Sequence, residues 1–138
     1  VKLYSKHMKP ETRFWQQLKR ATPEIHWFRI ESFSSPGIPD LYGIFQNKKG
    51  KTITFWVELK CSEMNKVRLS PKQISWNYTH SKLGGINYIM VQALSDSSVH
   101  IYPGSEVREL CIKGLLHPPL LHCPSVDQVM HLFQHAAA

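Results

Sequence analysis

The sequence predicts an α/β sandwich, with helices flanking a mixed sheet of four to five strands, and three observations carry that prediction. Residues 51–60 alternate strictly, with Ile53, Phe55, Val57 and Leu59 on one side and Thr54, Trp56, Glu58 and Lys60 on the other, the two-residue period of a strand. Ser70-Pro71-Lys72-Gln73 announces a helix, which Gly84-Gly85 stops before the apolar run of residues 86–93. The helix and strand signals also interleave along the chain, in the order α-β-β-β-α-β-β-α-α, so neither an all-helical nor an all-β architecture fits.

A first helix is expected over residues 11–20. Pro10 suits its start, because the N–H that proline lacks is one the first turn leaves unbonded, and Phe14, Leu18 and Ala21 share one face. Thr22-Pro23 ends it, residues 25–30 read as a strand, and Ser32-Phe33-Ser34-Ser35-Pro36-Gly37 is a loop by composition. Residues 41–46 and 51–60 form the arms of a hairpin, since Asn47-Lys48-Lys49-Gly50 offers residues that tolerate positive φ at a tight turn. A polar loop carrying Lys66 and Arg68 spans residues 61–69. In the helix that follows, Ser70 caps, Pro71 fits the first turn and Gln73 completes a capping box. Residues 86–93 are a fourth strand, and residues 99–102 a fifth after a turn at Asp96-Ser97-Ser98. Two short helices are expected over residues 105–113 and 125–134, joined by a Pro- and His-containing connection at 115–124. The chain thus reads as a single domain over residues 1–138, with a core at about 11–103 and a helical extension at about 104–138.

Composition narrows the partners. Six Phe, five Tyr and four Trp, with 42% hydrophobic residues, suit a packed globular chain rather than a disordered one. No apolar run approaches the ~20 residues that cross a bilayer, and residues 1–10 lack the apolar segment of a secretory signal. The expectation is a soluble, cytoplasmic protein without a membrane partner. Cys61, Cys111 and Cys123 are odd in number and widely spaced, which fits reduced thiols better than a disulfide framework. The 17 Lys and Arg against 10 Asp and Glu, a net charge of +7, favour a polyanion, because each cation beside a phosphate releases a condensed counterion.

The chemistry concentrates in Pro39-Asp40 and Glu58-Leu59-Lys60. Antiparallel pairing across the Asn47–Gly50 turn brings Asp40, at the start of one hairpin arm, to Glu58, near the end of the other. Two carboxylates on adjacent strands can hold one hard divalent cation, Mg2+ or Mn2+, with the Leu59 carbonyl as a further oxygen ligand. Lys60 lies two residues beyond Glu58 on the same face, where its ammonium group can orient a metal-bound water and stabilise charge on a scissile phosphate. The basic residues Lys48, Lys49, Lys51, Lys66, Arg68 and Lys72 flank these positions in sequence and are candidates for a DNA path. Each position also has a plainer reading. Asp40 can close a Pro-Asp turn, Glu58 and Lys60 can form a solvated cross-strand ion pair, and Gln73 can serve only as a capping residue.

Gly37-Ile38-Pro39-Asp40, Glu58-Leu59-Lys60 and Ser70-Pro71-Lys72-Gln73, taken in that order, resemble the PD-(D/E)xK nuclease superfamily. Within it they are most similar to the virus-type replication–repair nuclease (VRR-NUC) group and to phage and bacterial Holliday-junction resolvases. The resemblance spans about residues 11–91. It implies a restriction-endonuclease-like core and a metal-dependent DNA endonuclease of repair or recombination, selective for branched DNA. Asp40 and Glu58 become metal ligands, Lys60 the catalytic lysine and Gln73 a ligand of phosphate or metal-bound water. Glu11 matches an additional acidic residue of many relatives, and Ser35 a backbone contact of resolvase-like ones. Stand-alone resolvases imply a homodimer, for which the exposed-looking aromatics and the apolar stretch 115–121 offer surface. The alternatives are a catalytically silent DNA-structure-binding module of the same fold, and a sequence-specific or exonucleolytic relative. His117, His122, Cys123, His131 and His135 do not follow the spacing of a common zinc finger.

Overall fold

The computed structural model describes residues 8–30 and 36–136. Its elements run α1 (Pro10–Ala21), β1 (His26–Arg29), β2 (Leu41–Gln46), β3 (Thr52–Ser62), α2 (Pro71–Lys82), β4 (Asn87–Ala93), β5 (Val99–Pro103), α3 (Val107–Lys113), β6 (Leu121–Cys123) and α4 (Val129–Ala136). Single 3-10 turns at Gly104–Glu106, Gly114–Leu116 and Val126–Gln128 join the later elements.

The strands form one six-stranded sheet in the order β1-β2-β3-β4-β5-β6. β3 and β4 pair in parallel and every other neighbour is antiparallel. The parallel pair follows from α2, since a return to the same sheet direction needs a crossover that a hairpin turn cannot supply. The expectation of four to five strands is therefore corrected to six. β6 lies inside the stretch read as a plain connection, where Val99 pairs with Cys123 and Ile101 with Leu121. With three residues it is too short to display a period, and the prolines around it mask the signal.

Local chemistry explains the expected elements. α1 buries Phe14 and Leu18, and its end is fixed by Thr22, whose hydroxyl donates to the Leu18 carbonyl and accepts from Trp27 Nε1. At the hairpin turn the Asn47 side chain accepts from the N–H groups of Lys49 and Lys51, and Gly50 takes φ of 78°. The capping box of α2 is complete, with Ser70 Oγ accepting from Gln73 N and Gln73 Oε1 accepting from Ser70 N.

Two hydrophobic layers sandwich the sheet. On one side Phe14 and Leu18 of α1 and Phe133 of α4 pack on Phe55, Val57 and Leu59 of β3 with Val99 and Ile101 of β5. On the other, Val107 and Leu110 of α3 and Ile74 and Tyr78 of α2 cover Ile89 and Val91 of β4 and Tyr102 of β5. The alternation read along residues 53–59 is therefore the boundary between the two layers. The even-numbered side chains of β3, including Trp56 and Glu58, project toward the side of the sheet that carries α2.

Candidate active site

The register of the hairpin sets the centre of the site. Leu41 pairs with Val57, so Asp40, one residue before β2, faces Glu58. The Asp40 carbonyl accepts from Ile30 N at 2.7 Å, which continues the β1–β2 ladder and anchors the loop. Asp40 Oδ2 accepts from Leu59 N at 3.1 Å. A strand residue directs its N–H and C=O to the same edge, so the Leu59 carbonyl also points toward Asp40.

The loop before Asp40 is held against α2. Gly37 has φ of 100°, and a Cβ there would lie 2.6 Å from the Lys72 carbonyl oxygen. Only glycine combines that dihedral with that approach, which explains glycine at the head of Gly37-Ile38-Pro39-Asp40. The contact brings the first turn of α2, and with it Gln73, to the carboxylates. Gln73 completes the capping box with its oxygen, and its Nε2 faces Glu58 Oε2 at 3.4 Å.

Glu58 is 1% exposed, and its Oε1 is buried without a hydrogen-bond partner. Burial, and then the hydrogen bond and negative charge of Asp40, push its carboxyl from an ordinary 4.5 up to about 9, against the opposing charge of Lys60. Without a cation, Glu58 is thus a protonated acid at neutral pH. Glu11, at the start of α1, is also raised, chiefly by partial burial and also by Asp40, with Lys60 and Lys9 opposing.

These features fit a hard divalent cation. An orphaned carboxylate oxygen, a second carboxylate opposite and a main-chain carbonyl at the same edge are oxygen donors of the kind magnesium takes, and magnesium keeps several waters. Among the described residues, no three His, Cys, Asp or Glu side chains gather closely enough to hold a metal ion. Glu11 therefore flanks the pair rather than closing a three-carboxylate cage.

Two clefts meet at Glu11. One, of about 500 Å3, is lined by Lys9, Trp15, Arg29, Asp40 and Leu59. The other, of about 600 Å3, is lined by Lys60, Cys61, Glu63, Lys66 and Arg68. The structure thus brings Lys60, Lys66 and Arg68 together in one cleft beside Glu11. The loop bearing the last two is fixed by Ser62 Oγ donating to the Lys66 carbonyl and by Leu115 N donating to the Asn65 carbonyl. Lys72 lies on the opposite side, in a groove with Pro36 and Trp76. Lys48, Lys49 and Lys51 are not brought to the site. They sit at the far end of the hairpin, about 20 Å away at a strand's rise per residue. Ser35 lies outside the described residues. Lys9 and Arg29 went unremarked in the sequence; only the pairing of Arg29 with Leu41 places it beside Asp40.

A mixed sheet with a parallel central pair, flanked by helices and carrying paired carboxylates at a hairpin edge, defines a restriction-endonuclease-like fold. Comparison with solved structures agrees: the chain is similar to Hjc, a Holliday junction resolvase from the archaeal hyperthermophile Archaeoglobus fulgidus, with a TM-score of 0.51 and 18% identity over 67% of this chain and 76% of that one. No protein-family model and no curated protein matches the sequence. No helix among the described residues is long and apolar enough to cross a membrane.

Proposed function

We propose that this chain is a divalent-metal-dependent nuclease that hydrolyses the phosphodiester backbone of DNA, with a preference for branched substrates. The observation that carries the reading is the Asp40–Glu58 pair, in which a fully buried carboxylate keeps one oxygen without a partner beside a second acid and a lysine. A buried acid left unsatisfied costs stability, so a site of this kind is retained for what it binds.

Asp40, Glu58 and the Leu59 carbonyl are the groups that would hold Mg2+ or Mn2+. Such an ion, when bound there, would supply Lewis-acid activation of water and charge neutralisation at the phosphate. The protein's own groups do the rest. Lys60 presents its ammonium group to the attacked phosphate, while Gln73, fixed by the cap of α2, holds Glu58 in orientation and offers an amide to the phosphate or a water. Lys66 and Arg68 hold the DNA backbone along the cleft beyond Lys60. Glu11 and Arg29 border the opposite cleft, where Arg29 can take a second phosphate.

The fold likeness to a protein described as a Holliday junction resolvase supports branched DNA as substrate, and with it a role in recombination or repair. Paired incisions of a junction call for two sites at fixed separation, which a two-fold homodimer supplies. The test is incubation with labelled duplex, flap, splayed and four-way-junction DNA in magnesium, manganese or EDTA, with light scattering at micromolar concentration. Metal-dependent cleavage strongest on the junction, by a dimer, is the expected result. Binding without cleavage under every metal condition would leave a silent DNA-structure-binding module instead.

A further inference from the structure

The side of the sheet that carries Glu58 is covered unevenly. α2 and α3 cover β4 and β5, but among the described residues the part formed by β1, β2 and the first half of β3 belongs to neither hydrophobic layer. Among the described residues, Tyr42, Ile44 and Trp56 remain half-buried there, and His26, Thr52 and Thr54 are exposed. Phe28, on the edge strand, is 55% exposed.

This open face carries a continuous aromatic row. Phe28 pairs with Tyr42 and Tyr42 with Trp56 in the strand register. Their ring centroids are 6.1 and 5.2 Å apart, and Trp76 of α2 continues the row 5.6 Å from Trp56. The row lies one side-chain step from Glu58, about 7 Å along the strand.

Away from the active-site end, the charge around it is positive. Residues 41–57 and 64–95 contain no Asp or Glu, so the only carboxylates of the hairpin and α2 near this face are those of the Asp40–Glu58 pair at its active-site end, among the described residues. Lys48, Lys49 and Lys51 crowd the far hairpin end and Lys72 borders the row. A half-buried aromatic platform framed by cations, with carboxylates only at its active-site end, suits a ligand with π-faces and negative charge, which is single-stranded nucleic acid. A second copy of the chain would bring like charge against like on this face.

We propose that the open face is a track for unpaired DNA leading to the active site. The strand enters over Lys48, Lys49 and Lys51, stacks its bases on Tyr42 and Trp56 with Phe28 and Trp76 at the flanks, and presents the next phosphate to Asp40 and Glu58. The path of about 20 Å accommodates on the order of four nucleotides, the low end of single-strand site sizes. The site would then select substrates with unpaired bases next to the scissile phosphate. This rests on the reading of the chain as a DNA nuclease.

The test measures binding in EDTA, where cleavage plays no part. The probe is a fluorescein-labelled oligothymidine of about 12 nucleotides, with a blunt duplex of equal length as control. The wild-type protein binds the single strand more tightly, with quenching of tryptophan fluorescence. Phe28→Ala and Tyr42→Ala each weaken it by about 5- to 100-fold and leave duplex affinity nearly unchanged. The Lys48→Ala/Lys49→Ala double variant, on an exposed turn that contributes no packing, lowers the log–log salt slope by about 1.4. Unchanged single-strand affinity in both Phe28→Ala and the lysine variant, with junction cleavage intact, overturns the track and leaves the nuclease reading standing. Platform-dependent binding without metal-dependent cleavage of any substrate overturns the nuclease reading instead. If Phe28→Asp turns a dimer into a monomer with oligothymidine affinity unaltered, the face belongs to a second copy and the proposal is wrong.

Discussion

Replacing Glu58 with Gln should stabilise the metal-free protein, and by an amount that depends on pH. The folded Glu58 carboxyl is pushed up to about 9 from an ordinary 4.5, by burial first and Asp40 second. A raised folded pKa means that the folded chain holds a proton the unfolded chain releases. Its contribution is therefore intact below about 4.5, is lost progressively as the pH rises, and is fully lost above about 9. At about pH 7.5 the penalty spans three units, 7.5 less 4.5, or about 4 kcal/mol at ~1.36 kcal/mol per unit. The amide in Glu58→Gln keeps the shape and does not titrate. In EDTA the variant should match the wild type near pH 4.5 and melt on the order of 10 °C higher near pH 7.5. Magnesium at about one hundred times its dissociation constant should return about 3 kcal/mol to the wild type and little to the variant. Thermal melts from pH 4.5 to 8.5, with EDTA or magnesium, measure all of this. A wild-type-to-variant gap that is constant with pH, or a variant less stable than wild type at pH 7.5 in EDTA, refutes the buried-acid account of the site.

Asp40→Asn should abolish cleavage while leaving junction affinity within a few-fold of wild type, read by gel shift in calcium, because the amide removes a charge the cation needs and no DNA contact. Lys60→Ala should slow single-turnover cleavage by on the order of 10²–10³ with the magnesium dependence of the rate unmoved, since its ammonium group addresses the phosphate. A defect erased by saturating manganese would instead assign Lys60 to metal occupancy. Gly37→Ala meets the Lys72 backbone at a φ that alanine tolerates poorly, so it should cost about 1–3 kcal/mol in chemical denaturation and reduce cleavage by displacing the Asp40 loop from the first turn of α2. Equal stability and full activity in that variant would show that the loop does not need its contact with α2.

The elements legible in the sequence are those specified locally. The α1 stripe of Phe14 and Leu18, the Asn47–Gly50 turn and the Ser70–Gln73 capping box each set their element with residues a few positions apart. Asp40 and Glu58 were legible as a pair for the same reason, because the turn between them fixes the register that joins them. Beyond that reach, tertiary structure decided. A hairpin that brings its two ends together carries its midpoint farthest away, so Lys48 and Lys49, lying between the two acids in sequence, are remote from them in space. Arg29 and Lys9 reach the site through strand pairing and helix packing that no spacing rule encodes. The three residues of β6 are a strand only because the edge of β5 was left to be paired. The sequence by itself determined the pattern of faces and the chemistry of the acid pair, because both follow from short-range periodicity and one turn. Only the folded chain decided that Glu58 is buried with an unpartnered oxygen and that no element among the described residues covers the aromatic face beside it, because burial depends on which distant elements cover a surface.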